Sequence, residues 1–488
     1  MLSYPEVRLY IGGEWRRAAE TMPVVNPADG AEIGRVPRAG AADLRDAVQA
    51  ARRGFEAWRA TAPAQRARIM LDAAALLRAR VDEIAATMTL EQGKPIAQSR
   101  GEIHRACDII EWDANEGRRL YGYQIPAEPG MTHTTFHEPI GVVAAFAPWN
   151  FPVSSPVRKV AGALAAGCAI ILKAAEETPA SAMLLAKAFE DAGLPPGVLN
   201  LVFGIPSEIS EFLIADPAVR LVTFTGSVPV GKRLAALAGQ HMKPAIMELG
   251  GHCPVVVCDD VDVEEVARLS ADAKSRNAGQ VCVAPTRFFV HERVYEPFIE
   301  AFSRHVSAMR LGNGLDPAVD IGPLANARRL RAMEELVADA VARGARLHAG
   351  GSRHGGVGNF FPMTVLSDLP DDARCMIEEP FGPLALVCPC ASTGEAIRRA
   401  NSLPFGLAAY GFTRNSDNVA SMVAGMECGN LSINHFVASV AETPFGGVKD
   451  SGYGREGGVD GLRHYTTVKN VSHRTRPSWP AAARGAEA

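Results

Sequence analysis

The sequence predicts an α/β protein made of two doubly wound, Rossmann-like domains in series. Three observations carry this expectation. From residue 141, short uninterrupted apolar runs alternate with helical patterns: GVVAAFAP, CAIILK, VLNLVFG, RLVTFTG and PAIMELG. Such strands read as parallel and buried on both faces. A second alternation begins at PVVVCDD, 254–260, and continues through RFFVHERV, the helix YEPFIEAFSRHVSAM and strands near 384–390, 407–413 and 430–434. Finally, the 488 residues, 47% hydrophobic and 21% charged, describe an ordinary globular chain with a large core, long enough for about three domains.

The elements follow in order. Residues 41–118 read as three amphipathic helices, with Pro63 in a first turn and Gly93 ending the long helix after it. Between Leu120 and Glu138 the helical period vanishes, and short alternating pieces predict a protruding hairpin. A helix then starts at Ser154, and another at Pro179 behind the cap residue Thr178. PSEISEFLIA and VPVGKRLAALAG supply the helices after the third and fourth runs. The tail PSWPAAARGAEA has no apolar periodicity and is expected to fray.

Composition excludes several classes of function. A formal net charge of −4 gives no general attraction to nucleic acid or to an anionic membrane. The N-terminus lacks the basic-then-apolar order of a signal peptide, and no segment reaches about 18 unbroken apolar residues. The nine cysteines lie mostly in apolar runs without zinc-type spacing, and Cys388-Pro-Cys390 is too tight to chelate. No metal site is expected, and a reducing cytoplasm is the simplest location.

One cysteine stands apart. In NAGQVCVAPTR, 277–287, Cys282 follows a glycine and an amide and precedes a proline, as a nucleophile presented on a turn would. Most cysteines are instead small buried hydrophobes. Gly226-Ser227 and Gly231, between a strand and a helix, suit either a phosphate at a helix N-terminus or a plain capped turn. Lys173 and Glu176, at the end of CAIILK, suit either an adenosine ribose or a surface ion pair. Read as adjacent strand ends of one sheet, the two features favour a dinucleotide crevice. Glu248, ending PAIMEL, is placed for a general base or for a helix cap. Asn150, hemmed by prolines in PWNFP, is an oxyanion donor or an ordinary turn residue.

PWNFP (148–152), FTGS (224–227), MELGG (247–251), NAGQVC (277–282), EEPFGP (378–383) and PFGGVKDSGYGRE (444–456), in this order, resemble the aldehyde dehydrogenase superfamily across roughly residues 9–471. The resemblance implies that Cys282 attacks an aldehyde to give a thiohemiacetal and, after hydride loss, a thioester. It implies that Asn150 and the Cys282 N–H hold the oxyanion and that Glu248 activates the hydrolytic water. Lys173 and Glu176 match the ribose contacts, and Gly226 and Ser227 the pyrophosphate turn. Glu379 and Phe381 match the nicotinamide contacts, and Trp149 and Leu249 join the cofactor-binding set. The implied cofactor is NAD, with NADP possible.

The succinic semialdehyde and 2-oxoglutarate semialdehyde branch is the most similar. Its carboxylate-binding arginines and serine match Arg158, Arg276 and Ser439, so a short aldehyde with a distal carboxylate is the implied substrate. The resemblance places an NAD-binding domain at 1–119 and 139–250 and a catalytic domain at 251–450. A small β oligomerisation element at 120–138 and 451–476 implies a homodimer or homotetramer, and 477–488 is the tail. The family's lysine-proline pair is Lys173-Ala174 here. Its most variable stretch, at the substrate mouth, is HFVASVAE, 435–442. A cysteine hydrolase is the competing reading, and His252 and His435 are its candidate bases.

Overall fold

The computed structural model describes residues 4–475. Its first sheet has a parallel middle of five strands, in spatial order Ala245–Leu249, Val219–Gly226, Val142–Phe146, Ala169–Lys173 and Leu199–Val202. Antiparallel edges complete it: Gly452–Tyr453 on one side, Leu9–Ile11 with Glu14–Arg16 on the other. The strands at 142–146, 169–173 and 199–202 are buried at every position, as a sheet covered on both faces requires. From Val142–Phe146 the chain winds outward through the next two strands. It then returns to the opposite side of the first. That reversal opens a crevice at the carboxyl ends of Val142–Phe146 and Val219–Gly226, the usual ligand position in such sheets.

Lys173 and Gly226 therefore do not end adjacent strands, as the sequence suggested; Val142–Phe146 lies between theirs. The intervening strand brings its own loop, Ala147–Asn150, into the crevice. Gly231 also differs from expectation. It lies inside the helix Val228–Gln240 rather than in the turn before it, where a Cβ would meet Leu249 Cδ2 at 2.3 Å. Its role is close packing of helix on strand.

The second sheet has seven strands, ordered Arg346–Ala349, Thr364–Ser367, Leu384–Cys390, Pro285–His291, Cys253–Val257, Ala408–Phe412 and Asn430–Ile433. All its pairings are parallel except the first. Each sheet carries its own apolar core.

Four helices, not three, occupy the early helical region: Ala41–Arg59, Pro63–Ala79, Val81–Gln92 and Ile96–Glu116. Arg80 leaves helical geometry at φ −105°, ψ 16°, and Asp82 and Glu83 then occupy the first turn of a new helix, where carboxylates suit the dipole. Gly93 closes that helix at φ 95° as expected.

Thr466–Arg474 pairs antiparallel with Met131–Pro139 over nine positions, and Gln124–Ile125 pairs with the other edge of 131–139. The remainder of 451–465 differs from expectation. Gly452–Tyr453 extends the first sheet, and Leu462 and Tyr465 belong to its core. The tail 477–488 lies outside the described residues. Among the described residues no helix is long and apolar enough to cross a membrane.

Candidate active site

Cys282 follows a run of left-handed backbone: Asn277, Ala278 and Gly279 have φ of 50°, 51° and 70°. Two of these are not glycine, so the surroundings must hold the conformation. Asn277 does so in three directions. Its N–H donates to Gln98 Oε1 at 2.7 Å, its Oδ1 accepts from Gln92 at 2.8 Å, and its Nδ2 donates to the Asn150 carbonyl at 3.0 Å. The Gln280 side chain closes the loop by donating to Asn277 O and accepting from the Ala325 N–H, each at 3.0 Å. At Gly279 a Cβ would lie 2.1 Å from the Gly382 carbonyl, so only glycine fits there.

Glu248 ends its strand opposite Thr225 and faces both that residue and the Cys282 thiol. Burial, reinforced by Glu456, pushes the carboxyl up to about 7. Burial also pushes the Cys282 thiol well above the ordinary range, and the facing carboxylate adds to this. Behind Glu248 lies a buried charge pair. Lys159 donates to Thr225 Oγ1 at 2.6 Å and to the Glu456 carboxylate. Its positive charge opposes the rise at Glu248.

Asn150 is buried, and its Nδ2 donates to the Gln280 carbonyl at 3.1 Å, leaving the second N–H of that amide for another acceptor. Its own carbonyl accepts from Lys94 Nζ at 2.7 Å; Lys94 in turn pairs with Glu102 at 2.6 Å. Glu102 also accepts from the N–H groups of Val153 and Ser154, anchoring the start of the helix Ser154–Ala166.

Cys282 and Glu248 open onto a cavity of about 570 Å³ that Arg158, Arg276 and Ser439 also line. Arg158 stacks over Phe445 at 4.9 Å, donates from Nη2 to Ser439 Oγ at 2.9 Å, and has a buried Nη1 with no hydrogen-bond partner. Arg276 lies over Phe151 at 5.3 Å. Burial lowers its proton affinity to about 10, and the next cause is a third guanidinium, that of Arg105. Residues 436–442 form another wall, as expected for the variable stretch. Arg105 belongs to no motif, and nothing in its local sequence marks it.

A second cavity, of about 670 Å³, lies at the crevice of the first sheet and is lined by Trp149, Lys173, Glu176, Gly226 and Ser227. Ser227 precedes the helix Val228–Gln240 without capping it, so the first-turn N–H groups remain available to a phosphate. These residues fit a dinucleotide. Each cation lining the cavity is matched by a protein carboxylate: Lys173 by Glu176, Arg233 by Glu211, and Arg328 by Glu177. Leu249, Glu379 and Phe381 do not line this cavity. Leu249 packs on Gly231. Glu379 accepts from the Gly251 N–H at 3.2 Å, at a close approach that the missing Cβ of Gly250 permits. Phe381 meets Trp149 edge-on, centroids 5.7 Å apart.

Neither His252 nor His435 is placed as a hydrolase base. His252 is buried and satisfied on both nitrogens, by Thr286 Oγ1 at 2.8 Å and the Cys375 carbonyl at 2.9 Å, and it lies outside the Cys282 cavity rather than lining it. His435 bonds the Val437 N–H at 3.1 Å and is likewise absent from that cavity. The buried Lys159, Glu456, Lys94 and Glu102 escaped the sequence reading, because nothing local marks a charged residue that long-range packing will bury.

Two doubly wound sheets, a dinucleotide crevice and a thiol facing a carboxylate define a nucleotide-dependent dehydrogenase architecture. The model of the aldehyde dehydrogenase family matches residues 15–471. The 4-(hydroxymethyl)benzenesulfonate dehydrogenase of Comamonas testosteroni is 46% identical over 464 residues, covering 94% of this chain and 97% of the relative. The NADP(+) succinate-semialdehyde dehydrogenase of Escherichia coli K12 is 42% identical over 462 residues, covering 94% and 96%. A solved succinate-semialdehyde dehydrogenase from Burkholderia pseudomallei superposes with TM-score 0.95 at 41% identity, covering 97% of this chain and 99% of that one. This chain belongs to the aldehyde dehydrogenase family and is an NAD(P)-dependent oxidoreductase acting on a small aldehyde.

Proposed function

We propose that this enzyme oxidises a short aldehyde carrying a distal anionic group to the free acid, with succinic semialdehyde as the first substrate to test. One observation carries the reading: Arg158 and Arg276 line the Cys282 cavity, and among the described residues neither forms an ion pair. Half-buried guanidinium groups without a carboxylate carry a desolvation cost, and a substrate anion offsets it. 2-Oxoglutarate semialdehyde meets the same requirement. The Comamonas testosteroni relative brings a second reading, in which the distal anion is a sulfonate.

In the proposed chemistry the Cys282 sulfur attacks the carbonyl carbon as its proton passes to Glu248, whose value near 7 suits a base at neutral pH. The second N–H of Asn150 Nδ2 and the Cys282 N–H stabilise the oxyanion. When bound, the nicotinamide supplies the acceptor for the departing hydride. Glu248 releases the thiol's proton to solvent, then takes a proton from the water that hydrolyses the Cys282 thioester. It returns that proton to the departing sulfur, so the thiol is restored and the acid's own proton leaves to solvent. A base held beside the thiol favours hydrolysis over transfer to another acceptor. Trp149, Lys173, Glu176, Gly226 and Ser227 are proposed to hold the dinucleotide, with Leu249, Glu379 and Phe381 shaping its nicotinamide end. All nine cysteines are free thiols, which supports a reducing, cytoplasmic location.

Cys282→Ala tests the assignment of the nucleophile. Oxidation of succinic semialdehyde, followed by formation of the reduced cofactor, should stop, while NAD affinity by calorimetry stays within about twofold. More than a trace of remaining dehydrogenase activity contradicts the assignment.

A further inference from the structure

We propose that Arg105 is a third arginine of the anion subsite and tilts its preference from a planar carboxylate toward a sulfonate, whose three oxygens point in different directions. The proposal rests on the reading of Arg158 and Arg276 as anion-binding residues.

Arg105 lies on the helix Ile96–Glu116. The buried face of that helix includes Ser99, Glu102, Ile103 and Ala106. Gly101, His104, Arg105 and Asp108 lie beside this face and form a wall of the Cys282 cavity. Among the described residues Arg105 makes no ion pair. The acidic residues around it are committed: Glu102 to Lys94 and to two backbone N–H groups, Asp108 to Arg78 at 3.1 Å. Burial is the main influence lowering the Arg105 proton affinity; Glu102 opposes it, and the Arg158 charge adds to it. Arg276 feels Arg105 in the same way. Three guanidinium groups from three segments thus share one cavity and repel one another. In the dinucleotide cavity, by contrast, every lining cation has a protein carboxylate.

The number of donors exceeds what a carboxylate can use. One guanidinium fork engages both oxygens of a carboxylate in its plane. Arg158 and Ser439 already act as a bonded unit on one side, and Arg276 approaches from another segment. Two such forks already fill the roughly four lone-pair sites of a carboxylate, which lie in one plane, whereas a tetrahedral anion presents a third oxygen outside that plane to a further fork from the Ile96–Glu116 helix. Room for the bulkier group exists one turn earlier, where a Cβ on Gly101 would have no atom within 4 Å. Arg105 is exposed. Its contribution is therefore screened and expected near the lower end for a charge-assisted bond, about tenfold in kcat/KM.

The test uses three matched aldehydes, 4-formylbenzenesulfonate, 4-formylbenzoate and benzaldehyde, with wild type, Arg105→Ala, Arg105→Lys, Arg158→Ala and Arg276→Ala. Ratios of kcat/KM within one variant are independent of its folded fraction. Wild type should favour the sulfonate over the carboxylate. Arg105→Ala should collapse that ratio about tenfold, mostly through KM, and Arg105→Lys should recover part of it. A wild-type preference for the carboxylate overturns the proposal. So does an unchanged ratio in Arg105→Ala, and if Arg158→Ala and Arg276→Ala still penalise both anions over benzaldehyde, the broader anion reading stands. If those two variants penalise benzaldehyde equally, the broader reading falls and the proposal with it.

Discussion

The Glu248 carboxyl faces the Cys282 thiol, and burial raises the proton affinity of both, the carboxyl to about 7. The thiol is thus protonated at neutral pH and depends on its neighbour to become a nucleophile. A base with a value near 7 is protonated below that pH and active above it. Wild-type turnover should therefore rise with pH through about 7 and then level. In Glu248→Gln that limb should disappear. Steady-state turnover should fall by about 10²–10⁴, the usual contribution of a positioned base. In rapid-mixing experiments the burst of reduced cofactor and the steady state should both fall, because Glu248 serves first the thiol and then the water. A full burst followed by a slow phase would show that Glu248 acts only in thioester hydrolysis.

NAD should be preferred over NADP. Lys173 is held by Glu176, and Arg233 and Arg328 are each matched by another carboxylate, so a 2′-phosphate finds a negative group and no uncommitted cation. Steady-state kinetics should give the higher kcat/KM with NAD, and Glu176→Ser should narrow the gap. A higher value with NADP in the wild type contradicts this account of the ribose end.

Among the described residues the strand Thr466–Arg474 is paired along one edge only, and Val468, Val471 and Phe136 of its sheet are exposed. A nine-residue edge left open invites pairing with another chain. Light scattering at micromolar concentration should give twice or four times the 51.9 kDa chain mass. Val468→Asp should shift the distribution toward the monomer. A monomeric wild type contradicts the expectation.

Much of this architecture was legible because period and punctuation are local. The five parallel strands of the first sheet and five of the seven strands of the second were visible as apolar runs, and Gly93, Pro179 and the hairpin at 120–138 as breaks. The short edge strands of the first sheet and the strands Arg346–Ala349 and Thr364–Ser367 were not. Nor was the split at Arg80, because Ala-Arg-Val carries no breaker, and the Arg80–Asp191 contact at 2.7 Å that accompanies it joins distant parts of the chain. The order of strands in the sheet is likewise non-local, and so the strand between Lys173 and Gly226 was missed. Cys282, Glu248 and Asn150 stood out within motifs. Glu456 closes the motif PFGGVKDSGYGRE and Lys159 lies in none, and their pairing across 297 residues has no sequence signature. Arg105 reads as an ordinary solvated helix residue until the cavity it borders is seen.

The most direct test of the central claim compares succinic semialdehyde with butanal, a neutral aldehyde of the same chain length, in wild type and in Arg158→Ala. Two charge-assisted contacts at about 1.5–3 kcal/mol each give wild type a preference of at least about 100-fold in kcat/KM for the anion. Arg158→Ala should remove one to two orders of magnitude of that preference and leave Cys282 chemistry on butanal within a few-fold. Comparable kcat/KM for the two aldehydes in wild type, or equal losses on both in the variant, would contradict an enzyme built for an anionic aldehyde.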